Sequence, residues 1–328
     1  MKTTRLRLFL LLAAIALLSA RAAIAATITV NSTADPAGYN NGILIPQLGA
    51  TVTLRDAIVA VRNTGGTHTI TFDPSLAGKT IYLSQQDPSS INVALVPHQG
   101  GGPAKNLTLQ GLTGNNGVTI ARDPNVPILA LFTCVGSDLT MTVNDLTFSG
   151  GDTLGWGFGG AFDIIETNVS MNRCTFTGNS ARKGGAIYMR DSTFSLTNCT
   201  IAGNHVSEEG GGLYLFGGTV TVTHTTITDN SARFGAGILT DLTNPLLVNT
   251  IVAGNRVSVQ YPDIDYPGGK PGVSPASHHN LIGDASSAGG LSNGVNNNIV
   301  GANPLLNVLA FNGGPTLTAA LSAGSPGL

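Results

Sequence analysis

Gly184-Gly185-Ala186-Ile187-Tyr188 recurs as Gly210-Gly211-Gly212-Leu213-Tyr214 and again as Gly235-Ala236-Gly237-Ile238-Leu239. A fainter copy, Gly159-Gly160-Ala161-Phe162, comes first, so successive copies start 25, 26 and 25 residues apart. A second series keeps the same period: Phe176-Thr177-Gly178-Asn179, Ile201-Ala202-Gly203-Asn204, Ile227-Thr228-Asp229-Asn230 and Val252-Ala253-Gly254-Asn255. Two interleaved motifs with one period mark a solenoid, each repeat being one turn of a coil.

A period near 25 also suits leucine-rich repeats, and composition separates the two. The repeats are rich in Thr, Val, Ile and Phe, with Gly and Asn at fixed places and few Lys, Glu or Leu. That composition favours short strands and tight corners over helices. In Cys174-Thr175-Phe176 and Cys199-Thr200-Ile201 the apolar residues point one way and Thr the other. Each coil is therefore expected to carry two or three short strands, paired in parallel with its neighbours about 4.8 Å away. The reading is an all-β parallel β-helix.

Like positions then stack. Phe148, Phe176, Ile201, Ile227 and Val252 are expected to form one interior column, with Leu146, Cys174, Cys199, Thr225 and Thr250 two residues earlier on the same face. Asn179, Asn204, Asn230 and Asn255 should form a corner ladder of side-chain amides that tolerate left-handed backbone. The paired glycines mark a bend too sharp for a Cβ.

The open ends of a solenoid need caps. Thr53-Leu54-Arg55-Asp56-Ala57-Ile58-Val59-Ala60-Val61 supplies one, because Thr53 and Asp56 resemble a capping box. Leu54, Ala57, Ile58 and Val61 share a helical face and Gly65-Gly66 ends the helix, which should plug the amino-terminal end.

Lys2, Arg5 and Arg7 precede an apolar run from Leu8 to Leu18, and Ala23-Ile24-Ala25 offers a small-residue cleavage site. Residues 1–25 thus read as a secretory signal peptide, and residues 26–328 as one β-helix domain with its clearest repeats at 144–255. No later segment is apolar enough to span a membrane. Without residues 1–25 the chain keeps 12 basic and 18 acidic side chains, a charge of about −6 with neutral His. That surface disfavours nucleic acid as a partner. Cys174 and Cys199 fall on neighbouring coils, where export would permit a disulfide; the simpler reading is a pair of buried thiols. No spacing suggests a metal site, and His278-His279 reads as a solvated loop pair.

The repeat pairs resemble those of the polymorphic outer membrane protein family. Ile28-Thr29-Val30-Asn31-Ser32-Thr33-Ala34-Asp35, followed by Thr53-Leu54-Arg55-Asp56-Ala57-Ile58, resembles the CSLREAI domain of bacterial surface proteins, with Val52 where that motif has cysteine. Thr69-Ile70-Thr71-Phe72-Asp73-Pro74 is similar to the strand that usually follows there. Within residues 256–328, Asn280-Leu281-Ile282-Gly283, Asn303-Pro304-Leu305-Leu306, Asn312-Gly313-Gly314-Pro315-Thr316-Leu317 and Gly324-Ser325-Pro326 look like the choice-of-anchor Q domain. These resemblances imply a secreted or cell-surface, right-handed single-stranded parallel β-helix of the pectin-lyase-like class. Such families usually continue past Gly-Ser-Pro with an anchoring tail, so the expectation is a truncated or a released member.

Function in a solenoid comes from outward columns and loops. Arg182-Lys183, Glu208-Glu209 and Arg233 precede the glycine motifs on successive coils and are read as an ion-pair ladder. Asp163, Arg190, Asp191 and Asp241 follow those motifs, with Arg190 and Asp241 aligned two coils apart. Polysaccharide lyases of the resembled class hold calcium on a uronate with acids and remove the C5 proton with a base, since the carboxylate must be neutralised first. These four residues are the candidates for that chemistry, and calcium is expected only under that reading. Tyr261, Asp263, Asp265 and Tyr266, with Lys270 nearby and Trp156 elsewhere, could stack and hydrogen-bond a sugar. Pro262-Asp263-Ile264 also fits a framework position of the anchor-Q domain. The reading is a non-catalytic adhesive or glycan-contacting scaffold facing an extracellular polysaccharide or cell surface; the alternative is a polysaccharide lyase or glycoside hydrolase working in a groove.

Overall fold

The computed structural model describes residues 25–99, 105–114, 116–153, 157–260, 263–267 and 272–328. The signal segment, Trp156, Tyr261 and Lys270 therefore lie outside the described residues, apart from Ala25 at the segment's end.

One coil shows how the chain winds. Asn168–Asn172, Thr175–Thr177, Ser180–Lys183 and Ile187–Arg190 are four successive strands, and Thr193–Thr197 begins the next coil. Each strand pairs in parallel with its equivalents above and below, giving sheets of eight, nine, four and seven strands among the described residues. They are called here the threonine, phenylalanine, short and tyrosine sheets, after the residues that distinguish them. The repeats predicted two or three strands per coil; the fourth is the short sheet, whose Arg182, Lys183, Glu208 and Glu209 hid it from a hydrophobicity-based reading.

Four sheets need four corners, and each corner has a column in the left-handed region. Asp145, Arg173, Asn198, His224 and Asn249 turn the threonine sheet into the phenylalanine sheet, with φ between 48° and 58°. Gly150, Gly178, Gly203, Asp229 and Gly254 turn the next corner, Gly159, Gly184, Gly210 and Gly235 the third, and Glu166, Asp191, Gly217 and Leu242 the fourth. The left-handed residue is thus the one before each ladder asparagine, not the asparagine itself. At Gly184 a Cβ would collide with the carbonyl of Ile187, so only glycine fits.

The expected columns stack as read. Phe148, Phe176, Ile201, Ile227 and Val252 occupy consecutive register positions and are fully buried. Phe148 stacks on Phe176 with ring centroids 5.3 Å apart, and Phe132 on Phe162 at 4.8 Å. The two pairs meet edge to face, Phe148 to Phe162 at 4.9 Å and 84°. Burial of such rings dominates the core energetics. Each ladder amide donates to the next Oδ1, Asn179 to Asn204 at 2.9 Å and Asn204 to Asn230 at 2.9 Å, and also to a core carbonyl such as Phe148 O at 3.2 Å. Every buried amide is satisfied this way, which is what burial of a polar group demands.

The helix Leu54–Thr64 has the expected capping box, Asp56 N donating to Thr53 Oγ1 at 3.1 Å and Thr53 N to Asp56 Oδ2 at 3.3 Å. Leu54, Ala57, Ile58 and Val61 join the solenoid core. Its other side is also covered: Arg55 is buried, pairs with Asp35 at 2.6 Å and lies 4.8 Å from the Tyr39 ring. The two amino-terminal motifs are thus one device, joined by Asp35 and Arg55.

The carboxy-terminal segment lies against the outside of the phenylalanine sheet. Thr175 Oγ1 donates to Leu317 O at 2.6 Å, Thr316 Oγ1 to Arg173 O at 3.2 Å, and Gly117 N to Pro315 O at 2.8 Å. Thr175 and Thr200, read as pointing away from the core, are nevertheless buried, as is Thr147 in the same column.

Candidate functional site

The glycine corner folds the short sheet against the outer face of the tyrosine sheet. Register on one side runs Thr133, Asp163, Tyr188, Tyr214, Leu239, Asp265. On the other, Phe158, Lys183, Glu209 and Phe234 stand one residue ahead of each corner glycine. Phe158 stacks on Tyr188 at 4.5 Å and Tyr188 on Tyr214 at 5.2 Å, with Leu239, Phe216 and Phe234 completing an apolar ledge. Lys183 Nζ lies 4.8 Å from the Tyr214 ring and 2.6 Å from Glu209. Burial opposes the Lys183 charge, but Glu209 and Tyr214 outweigh it and raise its pKa.

The aromatic stack ends at Phe158, which lines a cavity of about 330 Å³ with Ile91, Asn92, Thr133, Thr153 and Asp163. That size falls within the range of small-molecule sites. Asp163 is partly exposed as a residue, yet its Oδ1 is buried and meets no hydrogen-bond donor among the described residues. Thr153 Oγ1, on the same wall, is also buried and has no partner among the described residues. Burial raises the Asp163 carboxyl to about 7, against a smaller lowering by Arg190. Two such polar atoms, one of them on the acid whose pKa burial raises, converge on one hollow of mixed polar and apolar lining, a combination enriched at binding sites.

The other candidates do not assemble there. Arg190 is in the adjacent outward column, 3.9 Å from Glu166, and Asp241 is two coils further along that column. Asp191 is an exposed left-handed corner residue, so its short side chain serves the turn. Asp263, a candidate sugar contact by sequence, is not available to a ligand: it is 1% exposed and both its oxygens are engaged inside the coil. Asp265 ends the Asp163 column, where burial raises its pKa, and it lines with Tyr266 a second hollow of about 500 Å³. There Tyr266 N donates to Asp265 Oδ1 at 2.7 Å. Trp156 and Tyr261 are outside the described residues.

In the proposed ion-pair ladder Arg182 meets Glu208 at 3.3 Å and Lys183 meets Glu209, while Arg233 lies over the Phe234 ring at 5.1 Å. His278 and His279 touch through their Nδ1 atoms at 2.9 Å, and His279 reaches Asn297. Reading by motif missed Phe158, Thr133 and Thr153. The available signal was the step of 25 from Asp163 to Tyr188, which places one acid at the head of an aromatic column. A buried relay was also missed: Lys105 Nζ contacts His98 Nδ1 at 2.8 Å and His98 Nε2 contacts Asp138 at 2.6 Å. Burial lowers the Lys105 pKa.

The family model described as right handed beta helix region matches residues 105–305. No curated protein and no solved structure gives a match.

Proposed function

The chain belongs to the right handed beta helix family, and on that premise we propose that it is a non-catalytic scaffold that holds a neutral carbohydrate at the Asp163 hollow. The carrying observation is the pair of buried polar atoms without partners among the described residues, Asp163 Oδ1 and Thr153 Oγ1, in the hollow that Phe158 lines. Sugars present hydroxyls that donate and accept, together with a C–H face that packs on an aromatic or aliphatic wall. A carboxyl titrating near 7 offers an acceptor when ionised and a donor when protonated. The rigid coil supplies the rest, since a site on strands is held in place before the ligand arrives.

The resemblance to anchor-Q and CSLREAI surface proteins and the signal-like amino terminus support display outside the cell. Both support an adhesive role toward an extracellular polysaccharide or cell surface.

The raised carboxyl favours one second reading, a glycoside hydrolase or lyase with Asp163 as general acid or base. Glycosidases place a second carboxyl roughly 5–10 Å away. Among the described residues Asp163 is the one acid lining this cavity, and Asp265 in the same column is four coils on, about 19 Å at strand spacing.

The test is a panel of neutral and uronate oligosaccharides, scored for binding and for new reducing or unsaturated ends. Binding of neutral members, weakened in Asp163→Asn without turnover, supports the proposal. Turnover lost in that variant establishes the enzyme reading, and a panel without binding removes both.

A further inference from the structure

The outer face of the threonine sheet has a composition that neither the family nor the Asp163 hollow accounts for. Six consecutive strands, from Gly66–Phe72 to Thr219–Thr223, present three outward columns. Every one of these eighteen positions is Thr, Ser, Asn or Gln, eleven of them Thr. Among the described residues no acidic, basic, aromatic or aliphatic side chain stands on this face of the six strands; Leu246 and Val248, in register with Thr221 and Thr223, bring aliphatic side chains onto the face only at the next strand. It begins with Thr67, Thr69 and Thr71 and ends with Thr219, Thr221 and Thr223.

Order matches composition. Pairing along these strands runs without a register shift, unlike the short sheet, where bulges interrupt each pair. The hydroxyls and amides therefore form a two-dimensional net, about 4.8 Å between strands and about 6.6 Å along each strand. Neighbours fix one another's direction: Ser195 Oγ donates to Ser170 Oγ at 2.9 Å, and Asn172 to Asn144 at 3.0 Å. Surfaces built only for solubility carry mixed charge, and exposed sheets usually carry lysine or glutamate.

We infer that this face binds ice. Absence of charge excludes polyelectrolytes, mineral ions and anionic membranes as the matching partner. Absence of rings leaves nothing for the flat face of a sugar chain to stack on. The remaining partner is a neutral periodic lattice of hydrogen-bond donors and acceptors, which is the lattice of frozen water. Each Thr contributes a methyl that orders adjacent water and a hydroxyl that both donates and accepts. Such a net holds an ordered water layer that continues into the crystal.

The experiment is partition of the purified chain into a slowly grown ice hemisphere, with inhibition of ice recrystallisation read in parallel. The wild type should enter the ice and keep grains small. Thr142→Lys and Ser195→Lys, in the middle column, should be excluded from ice while retaining the wild-type melting temperature; Arg256→Ala, on the short sheet, should partition like the wild type. Exclusion of the wild type from ice overturns the inference whether or not the lysine variants fold. Equal partition of folded lysine variants also overturns it. Retention on microcrystalline cellulose without any effect on ice overturns it in favour of a solid glycan partner.

Discussion

Asn255 donates from its backbone N–H and from its side-chain amide to Oδ1 of Asp263, at 3.4 and 2.9 Å. The other oxygen, Oδ2, accepts from the backbone of Asp284 at 2.8 Å. Each asparagine earlier in the ladder both receives and donates, whereas at this end the second side-chain atom faces the Asp284 N–H, so the closing residue must receive on both atoms. A carboxylate is that residue, which is why an aspartate follows four asparagines.

Asp263→Asn should therefore lower stability by about 1–3 kcal/mol, because an amide NH₂ would face the Asp284 N–H. Asn204→Leu should lower it by about 3 kcal/mol, since it orphans the Asn179 amide and the Phe176 carbonyl. Asn125→Leu, on an exposed turn with only a local bond to Asp123, should change little. Urea unfolding of the three variants checks the ladder; equal midpoints contradict it.

The Asp163 carboxyl gives a pH prediction with a definite sign. It ionises near 3.9 when unfolded and near 7 when folded, so the folded state binds the proton more tightly. Its stabilising contribution is complete below about pH 4 and is lost as pH rises through 7. Asp163→Asn should thus be near neutral at pH 4 and more stable than wild type at pH 8. Partial solvent access holds the gain to about 2 kcal/mol. Melting curves at both pH values read it, and a pH-independent difference contradicts the buried carboxyl.

Arg55→Ala should cost about 3–5 kcal/mol, because it leaves the buried Asp35 carboxylate without its partner. Arg256→Ala removes an exposed pair with Asp229 and should cost under about 0.5 kcal/mol. A similar loss for both in chemical denaturation would contradict the latch between the amino-terminal motifs.

Phe176→Ala should lose about 3–5 kcal/mol by opening a void against Phe148 and Phe162. Differential scanning calorimetry measures this, and a loss below about 1 kcal/mol would show that the ring column is not close-packed.

Cys134, Cys174 and Cys199 are buried as free thiols, and burial raises Cys134 and Cys174. A thiol reagent should find none of them in the native chain and all three after denaturation. Fewer than three would show a bond between the stacked pair.

Much of the fold was legible because repetition reports it. Asn179 to Asn255 and Phe176 to Val252 each recur at one period, and stacking converts period into contact. The short sheet was hidden because Lys183 and Glu209 bind one another across coils, where a hydrophobicity pattern sees only charge. The Asp163 hollow was the least legible part. Its walls come from Ile91 and Thr133, which precede the clear repeats, and from Thr153 and Phe158 in their first coil, and only three-dimensional winding brings them together. Asp263 misled for a similar reason: a carboxylate in a polar loop reads as exposed until its ladder partners are known.

The most direct measurement is a carbon NMR titration of the Asp163 side-chain carboxyl, assigned by difference with Asp163→Asn. It would be run on the free chain and with the tightest-binding neutral oligosaccharide of the panel. The account predicts a midpoint near 7 in the free chain that moves when the sugar saturates the site. A midpoint near 4, unmoved by sugar, would contradict both the partly buried carboxyl and its role in binding.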